Sequence, residues 1–161
     1  MKLRIIHGVT REESKGSNLI LYALEMIKEN YGEQVSITIV ERLPYEDYLR
    51  VLEVNDILVD QCKSYSYGMN ALIAMSMGLV VLSGSEPEAM SYLGVEECPV
   101  INITPDTMQI YSALAKLIDD KQSVYDISKR SVSYVVKYHD AEKIALAFEL
   151  VYQKATESND V

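Results

Sequence analysis

Short apolar segments alternate with longer segments of helical periodicity along most of the chain, and this alternation restricts the fold more than any other feature of the sequence. The apolar segment Leu3–Val9 is followed by the segment Ser17–Asn30, whose apolar residues recur at helical spacing. Strands that alternate with helices form a parallel sheet covered by helices on both faces. We therefore predict an α/β fold, a single Rossmann-like domain over residues 1–161.

The same criteria place the remaining elements. The predicted strands are Leu3–Val9, Val35–Val40, Ile57–Asp60, Leu79–Leu82 and Pro99–Ile103. The predicted helices are Ser17–Asn30, Pro44–Glu53, Tyr67–Met77, Glu86–Leu93, Asp106–Ile118, Ser123–Lys137 and Asp140–Lys154. Ser14 or Ser17 is the expected N-cap of the first helix, Gly32 its C-cap, and residues 155–161 are expected to form a frayed polar tail.

Composition narrows the classes of function. The net charge of −9 argues against nucleic-acid binding, which needs a basic face. No apolar run approaches the roughly 20 residues of a transmembrane helix, and the first residues resemble a strand rather than a signal peptide. We therefore expect a cytoplasmic protein. Cys62 and Cys98 are too few for a zinc cluster, so both are interpreted as structural and no metal is expected.

Ligands of open parallel sheets bind beyond the carboxyl ends of the strands. One such segment, His7–Ser17, joins the first strand to the first helix and contains Arg11, Lys15 and Gly16. Two cations at a helix N-terminus favour an anion such as a diphosphate, because the free N–H groups and the helix dipole act in the same direction. The alternative interpretation is a polar surface loop with a good N-cap.

A second segment opens the helix predicted at Tyr67–Met77. Gly68 would let the start of this helix approach a ligand, and the N–H groups of Gly68, Met69 and Asn70 would be unpaired within the helix. The alternative is a tight α/β unit in which Met69, Met75 and Met77 fill the core.

A third segment, Ser83–Glu88, opens the next helix. The backbone of Gly84 and the carboxylates of Glu86 and Glu88 would contact a sugar. Alternatively, these acidic residues only complement the helix dipole.

Two polar residues outside these helix starts have two interpretations each: His7 contacts the ligand or makes a structural hydrogen bond, and Asp60 lines the cleft or caps a turn. His139 is interpreted as structural, before the N-cap Asp140.

The order and spacing of these segments resemble the C-terminal domain of GT-B fold glycosyltransferases of the group 1 family. The most specific part is 56–90, "DILVDQCKSYSYGMNALIAMSMGLVVLSGSEPEAM". Within it, Ala74, Met75 and Gly78 match the family's helix end. Gly84 and Glu88 fall on the glycine and the glutamate of its Gly-x-x-Glu turn, with three residues between them here instead of two. Lys15 and Gly16 match the family's phosphate-binding lysine, with Arg11 near its partner arginine.

The resemblance implies a domain that binds a nucleoside diphosphate sugar and places no metal in the site. The full enzyme would transfer the sugar with retention of configuration to a saccharide or lipid-linked acceptor, as in surface polysaccharide synthesis. The residues expected to bind the donor are Arg11, Lys15, Gly16, Tyr67, Gly68, Met69, Asn70, Gly84 and Glu88. No catalytic residue is assigned.

Two consequences of the resemblance concern what this chain lacks. The family's N-terminal acceptor domain is absent, so an excised domain or a separate partner chain is expected, inactive in isolation and with peripheral membrane association of the full enzyme as one option. Tyr65 and Ile73 occupy the places of two family glutamates. That substitution motivates an alternative function, a degenerate non-catalytic Rossmann-like domain with a role in assembly or regulation.

Overall fold

The fold is a five-stranded parallel sheet in the order β2-β1-β3-β4-β5. The computed structural model describes residues 2–10, 12–95 and 97–157. The strands are β1 Leu3–Gly8, β2 Val35–Val40, β3 Ile57–Val59, β4 Val80–Ser83 and β5 Ile101–Asn102. The predicted α/β fold, a Rossmann-like parallel sheet with helices on both faces, is confirmed.

Helices connect these strands. They are α1 Glu12–Lys15, α2 Ser17–Tyr31, α3 Tyr45–Glu53, α4 Met69–Ser76, α5 Pro87–Tyr92, α6 Thr107–Asp119, α7 Lys121–Tyr138 and α8 Ala141–Glu157, with a 3-10 turn at Gly32–Gln34. No helix within the described ranges is long and apolar enough to cross a membrane.

Each face of the sheet carries its own hydrophobic cluster, because successive strand side chains point to opposite faces. On β1, Ile5 packs with α2 and α6, whereas Ile6 packs with α4 and α7. Both side chains are fully buried. Cover on both faces explains why the strands are apolar at nearly every position rather than at alternate ones.

The start of α2 differs from the sequence prediction. Gly16, not Ser14 or Ser17, is its N-cap residue, with φ 73° and no side-chain cap. Ser17 cannot serve as a cap because it lies inside the helix and its Oγ lies 3.0 Å from His7 Nε2. Ser14 lies in α1, a short helix that the sequence did not predict. The predicted C-cap at Gly32 is confirmed.

Three further expectations need correction. Met75 is buried as predicted, but Met69 and Met77 are 70% and 40% exposed and are not core filler. β5 spans two residues instead of the predicted Pro99–Ile103. α8 continues through Glu157, three residues into the segment expected to be frayed, and residues 158–161 lie outside the described residues.

Candidate functional site

A cleft of about 360 Å³ lies at the carboxyl ends of β1, β2 and β3. Its walls come from the strand ends and from the segments that follow them. The lining residues are Gly8, Thr10, Lys15, Val40, Arg42, Leu43, Tyr45, Tyr48, Asp60, Gln61, Gly68, Met69 and Asn70. Lys15, Gly68, Met69 and Asn70, predicted from separate segments of the chain, therefore meet in one cleft.

The floor of the cleft carries a buried ion pair. Lys15 Nζ lies 3.0 Å from Asp60 Oδ1, and the two side chains are 12% and 3% exposed. Asn70 Nδ2 donates to the same carboxylate oxygen at 2.8 Å, and Tyr48 Oη donates to Asn70 Oδ1 at 2.8 Å. Of the two sequence interpretations of Asp60, the cleft-lining one is confirmed.

Backbone hydrogen bonds hold this ion pair in place. The N–H group of Asp60 donates to the Leu82 carbonyl, so the carboxylate is fixed relative to β4. The N–H group of Cys62 donates to the Lys15 carbonyl at 2.9 Å, which joins the segment after β3 to the start of α2. A Cβ on Gly16 would lie 2.4 Å from Cys62 Sγ. Glycine at this position therefore permits close packing of two segments as well as the left-handed backbone.

The N-terminus of α4 opens onto the cleft. Gly68 is its N-cap residue and no side chain caps the helix. The first N–H groups of a helix have no acceptor within it, and they carry the positive end of the helix dipole. Asn70 is bonded to Asp60 and Tyr48, and Met69, 70% exposed, adds an apolar side chain to the lining. This arrangement suits an anionic ligand with an apolar portion.

Tyr67 was predicted to bind the donor together with Gly68, Met69 and Asn70, but it lies in the core. Its side chain is buried, and its hydroxyl bonds both the Tyr134 hydroxyl and His139 Nε2. Burial raises the pKa of Tyr134, and burial lowers the pKa of His139. Tyr67 is not a lining residue of the cleft. Its hydrogen bonds connect the chain just before Gly68 to α7 and to His139, the C-cap residue of α7. The structural interpretation of His139 is confirmed, and Asp140 accepts the Lys143 N–H group as an N-cap.

No residue of the third predicted segment, Ser83–Glu88, is among the residues that line the cleft. Gly84 is buried, and a Cβ there would lie 1.7 Å from the Ser64 carbonyl oxygen, so packing requires glycine. Glu86 accepts a hydrogen bond from Asn102 Nδ2. Glu88 is exposed in the first turn of α5. Gly16, Tyr67, Gly84 and Glu88 are therefore not among the residues that line the cleft, and their contact with a donor stays a prediction.

His7 makes structural contacts. The side chain is fully buried, with Nδ1 2.7 Å from the Val59 carbonyl and Nε2 3.0 Å from Ser17 Oγ. Burial is the main cause that lowers the pKa of His7, although its hydrogen bond to the Val59 carbonyl opposes the shift. Of the two interpretations of His7, the structural hydrogen bond is therefore the one observed, with partners on β3 and α2. Arg11 lies outside the described residues.

One cation of the cleft was not singled out from the sequence. Arg42 follows β2, is exposed, has a positive φ of 48° and lines the same cleft as Lys15. Its signal was available, since a basic residue directly after a strand lies at the ligand-binding edge of the sheet. Tyr65, in the place of a family glutamate, is 79% exposed and is not a lining residue.

Comparison with known proteins shows which solved structures share this fold. No family model and no curated protein matches the chain. Among solved structures, sucrose-phosphate synthase from Thermosynechococcus elongatus matches with a TM-score of 0.72 and 19% identity over 97% of this chain and 46% of its own. Anabaena HepE in complex with UDP and glucose matches with a TM-score of 0.72 and 15% identity over 95% of this chain and 48% of its own.

A single domain also matches. The C-terminal domain of a glycosyl transferase group 1 family protein from Francisella tularensis has a TM-score of 0.65 and 19% identity over 86% of this chain and 87% of its own. The chain spans about half the length of the first two structures, at 46% and 48%. The chain thus has the fold of one half of a GT-B glycosyltransferase, and the predicted resemblance to a group 1 C-terminal domain is confirmed at the level of the fold.

Proposed function

We propose that the chain is the nucleotide-sugar-binding domain of a retaining glycosyltransferase and holds the donor diphosphate in the cleft between Lys15 and the start of α4. The observation that carries this proposal is the meeting of a cation and a helix N-terminus at the carboxyl ends of parallel strands. Both features favour an anion, and this edge of the sheet is where such folds bind ligands. The likeness to solved glycosyltransferases supports the choice of donor class.

The chemistry follows from charge. Departure of a nucleoside diphosphate builds negative charge on the leaving group, and fixed positive groups stabilise it. Lys15, Arg42 and the α4 dipole are the positive groups that the described residues offer, and in this proposal they take the place of a metal ion. Lys15 already donates to Asp60, so the Asp60 carboxylate competes with the phosphate for the charge of Lys15.

The acceptor substrate would bind to a part of the full enzyme outside this domain. We propose a saccharide or lipid-linked acceptor and a role in surface polysaccharide synthesis, with an N-terminal domain or a partner chain supplying the acceptor site. Solved structures with this fold extend to about twice the length of the chain, which supports a further domain. In this proposal the chain alone binds donor but transfers no sugar.

A second candidate function is a degenerate domain without donor binding. Two observations favour it. Asp60 already neutralises Lys15 in the buried pair. Tyr65 and Ile73 supply no carboxylate where the resembling family has glutamates. In that case the face at the strand ends would bind a protein partner, as an assembly or regulatory domain.

Calorimetric titration with UDP, GDP, ADP and their common sugar conjugates separates the two functions. Lys15→Gln removes the cation but keeps a donor for the buried Asp60, and Lys63→Gln is the matched control because Lys63 is exposed and bonds the Glu13 carbonyl. Binding of one nucleotide that disappears in Lys15→Gln and persists in Lys63→Gln supports the donor site. No heat from any ligand, with the protein folded by circular dichroism, supports the degenerate domain.

A further inference from the structure

The strand β2 leaves an open edge on the sheet. Among the described residues it pairs with β1 alone. Its six residues, Val35–Val40, include no proline and no charge, which are the usual devices that protect an edge strand. The opposite edge is protected by shortness, since β5 spans only two residues. A long, unprotected edge is a template for pairing with another strand.

The direction of the backbone groups is set by one hydrogen bond. The Val40 carbonyl accepts from the Val9 N–H group at 2.8 Å, so the backbone groups of Val40 point toward β1 and the segment after it. Backbone groups alternate in direction along a strand. The N–H and C=O groups of Ile37 and Ile39 therefore point outward, at the edge.

An apolar groove accompanies this edge. It has a volume of about 390 Å³ and lies between α2 and β2, with Leu21, Leu24, Ile37 and Ile39 in its walls. Glu25 and Lys28 also line it and carry opposite charges less than one helical turn apart. Ile39 is 42% exposed, which is unusual for a large apolar side chain on a strand.

We propose that β2 pairs with β2 of a second copy of this chain, antiparallel, about a two-fold axis at Thr38. This register places Ile37 opposite Ile39 of the second copy, in the position where both residues exchange N–H and C=O bonds. Thr38 then faces Thr38 of the second copy as a pair without backbone hydrogen bonds. The two five-stranded sheets become one continuous sheet.

The choice of a second copy rests on self-complementarity. The two-fold axis sets each outward isoleucine against the other isoleucine, so both grooves are covered by identical contacts. It also turns α2 of one copy antiparallel to α2 of the other.

Sedimentation velocity across a concentration series tests the association. The chain is expected to form dimers, and Ile39→Lys is expected to raise the dimer dissociation constant at least about tenfold, because it replaces both isoleucine pairs with a charge at the edge. Leu146→Lys is the control, since Leu146 is a 60% exposed apolar residue on α8. A monomer at every soluble concentration, or a dimer that Leu146→Lys disrupts while Ile39→Lys does not, overturns the proposal.

Cross-linking tests the register. Thr38→Cys in a Cys98→Ser background should form an intermolecular disulfide on mild oxidation, because paired Cα atoms without hydrogen bonds lie about 4.5 Å apart. Ser36→Cys is the control; it faces Val40 of the second copy and lies too far from its own counterpart. A disulfide in neither variant, or in Ser36→Cys alone, overturns the register and with it the two-fold axis at Thr38. Thermal melts establish that each variant is folded.

Discussion

Lys15 and Asp60 form an ion pair across the floor of the cleft, with Nζ and Oδ1 3.0 Å apart and side chains 12% and 3% exposed. The two residues come from different strand ends, since Lys15 precedes α2 and Asp60 follows β3. The same carboxylate also accepts from Asn70, the second residue of α4. One buried acid therefore joins three of the segments that form the cleft.

Asp60→Asn should destabilise the protein by about 2 kcal/mol, because it removes the charge that compensates a largely buried lysine. It should also strengthen binding of a nucleoside diphosphate, because no carboxylate then competes with the phosphate for the charge of Lys15. Urea unfolding gives the first quantity and calorimetry the second. Asp47→Asn, at an exposed pair with Arg50, should change stability by less than about 1 kcal/mol. Weaker nucleotide binding in folded Asp60→Asn would contradict this account of the ion pair.

Arg42 should contribute to anion binding without contributing to the core. Arg42→Gln is expected to weaken nucleotide binding about tenfold, the typical value of a lost charge-assisted contact, with stability nearly unchanged because the side chain is exposed. Arg50→Gln is the matched control, on α3 and outside the cleft lining. Equal effects of the two substitutions would show that the contribution of Arg42 is only general electrostatic attraction.

Two glycines of the predicted site should differ in how much stability they lose when a methyl group is added. Gly84→Ala places a Cβ 1.7 Å from the Ser64 carbonyl oxygen, a backbone atom that cannot easily move. It should cost at least about 2 kcal/mol of unfolding free energy. Gly68→Ala meets nothing within 4 Å and has a φ of −111°, so stability should stay within about 0.5 kcal/mol. Urea denaturation of both variants checks the contrast, and a stable Gly84→Ala protein would contradict the observed packing.

Stability should fall as the solution becomes more acidic, because burial lowers the pKa of both histidines. A lowered pKa in the folded state means that the unfolded chain binds the proton first. The contribution is therefore complete above the unfolded pKa of 6.5 and is lost as the pH falls below it. His7→Asn should flatten this slope more than His139→Asn, because His7 is fully buried. Urea midpoints measured between about pH 7.5 and 5.5 test this, and an unchanged slope in His7→Asn would refute it.

Periodicity was sufficient to predict the fold because each strand and helix carries its own local pattern. β2, for example, was placed at Val35–Val40, as observed, because alternating β-branched residues have no competing helical spacing. The start of α2 was misplaced because Ser17, a good cap by residue type, is engaged by His7, ten positions away in sequence. Such tertiary contacts override local cap preferences and have no local signature.

The site was partly predictable for a related reason. The carboxyl ends of parallel strands meet at one edge, so Lys15 and the segment Gly68–Asn70 were expected together and are together in the cleft. Residue type alone did not reveal that Gly84 packs against Ser64, or that Tyr67 turns toward Tyr134. Glycine permits close packing of the chain as well as close approach to a ligand, and its residue type does not distinguish the two uses.

The most direct test of the central claim, a diphosphate site between Lys15 and the start of α4, is amide NMR during titration with the nucleotide of highest affinity. The account predicts saturable shifts of the Gly68, Met69 and Asn70 amides, and of amides near Lys15, with the Glu88 amide unchanged. Lys15→Gln should abolish the shifts. Shifts confined to the segment around Glu88, or no saturable shift at all in the folded protein, would contradict a diphosphate site in this cleft.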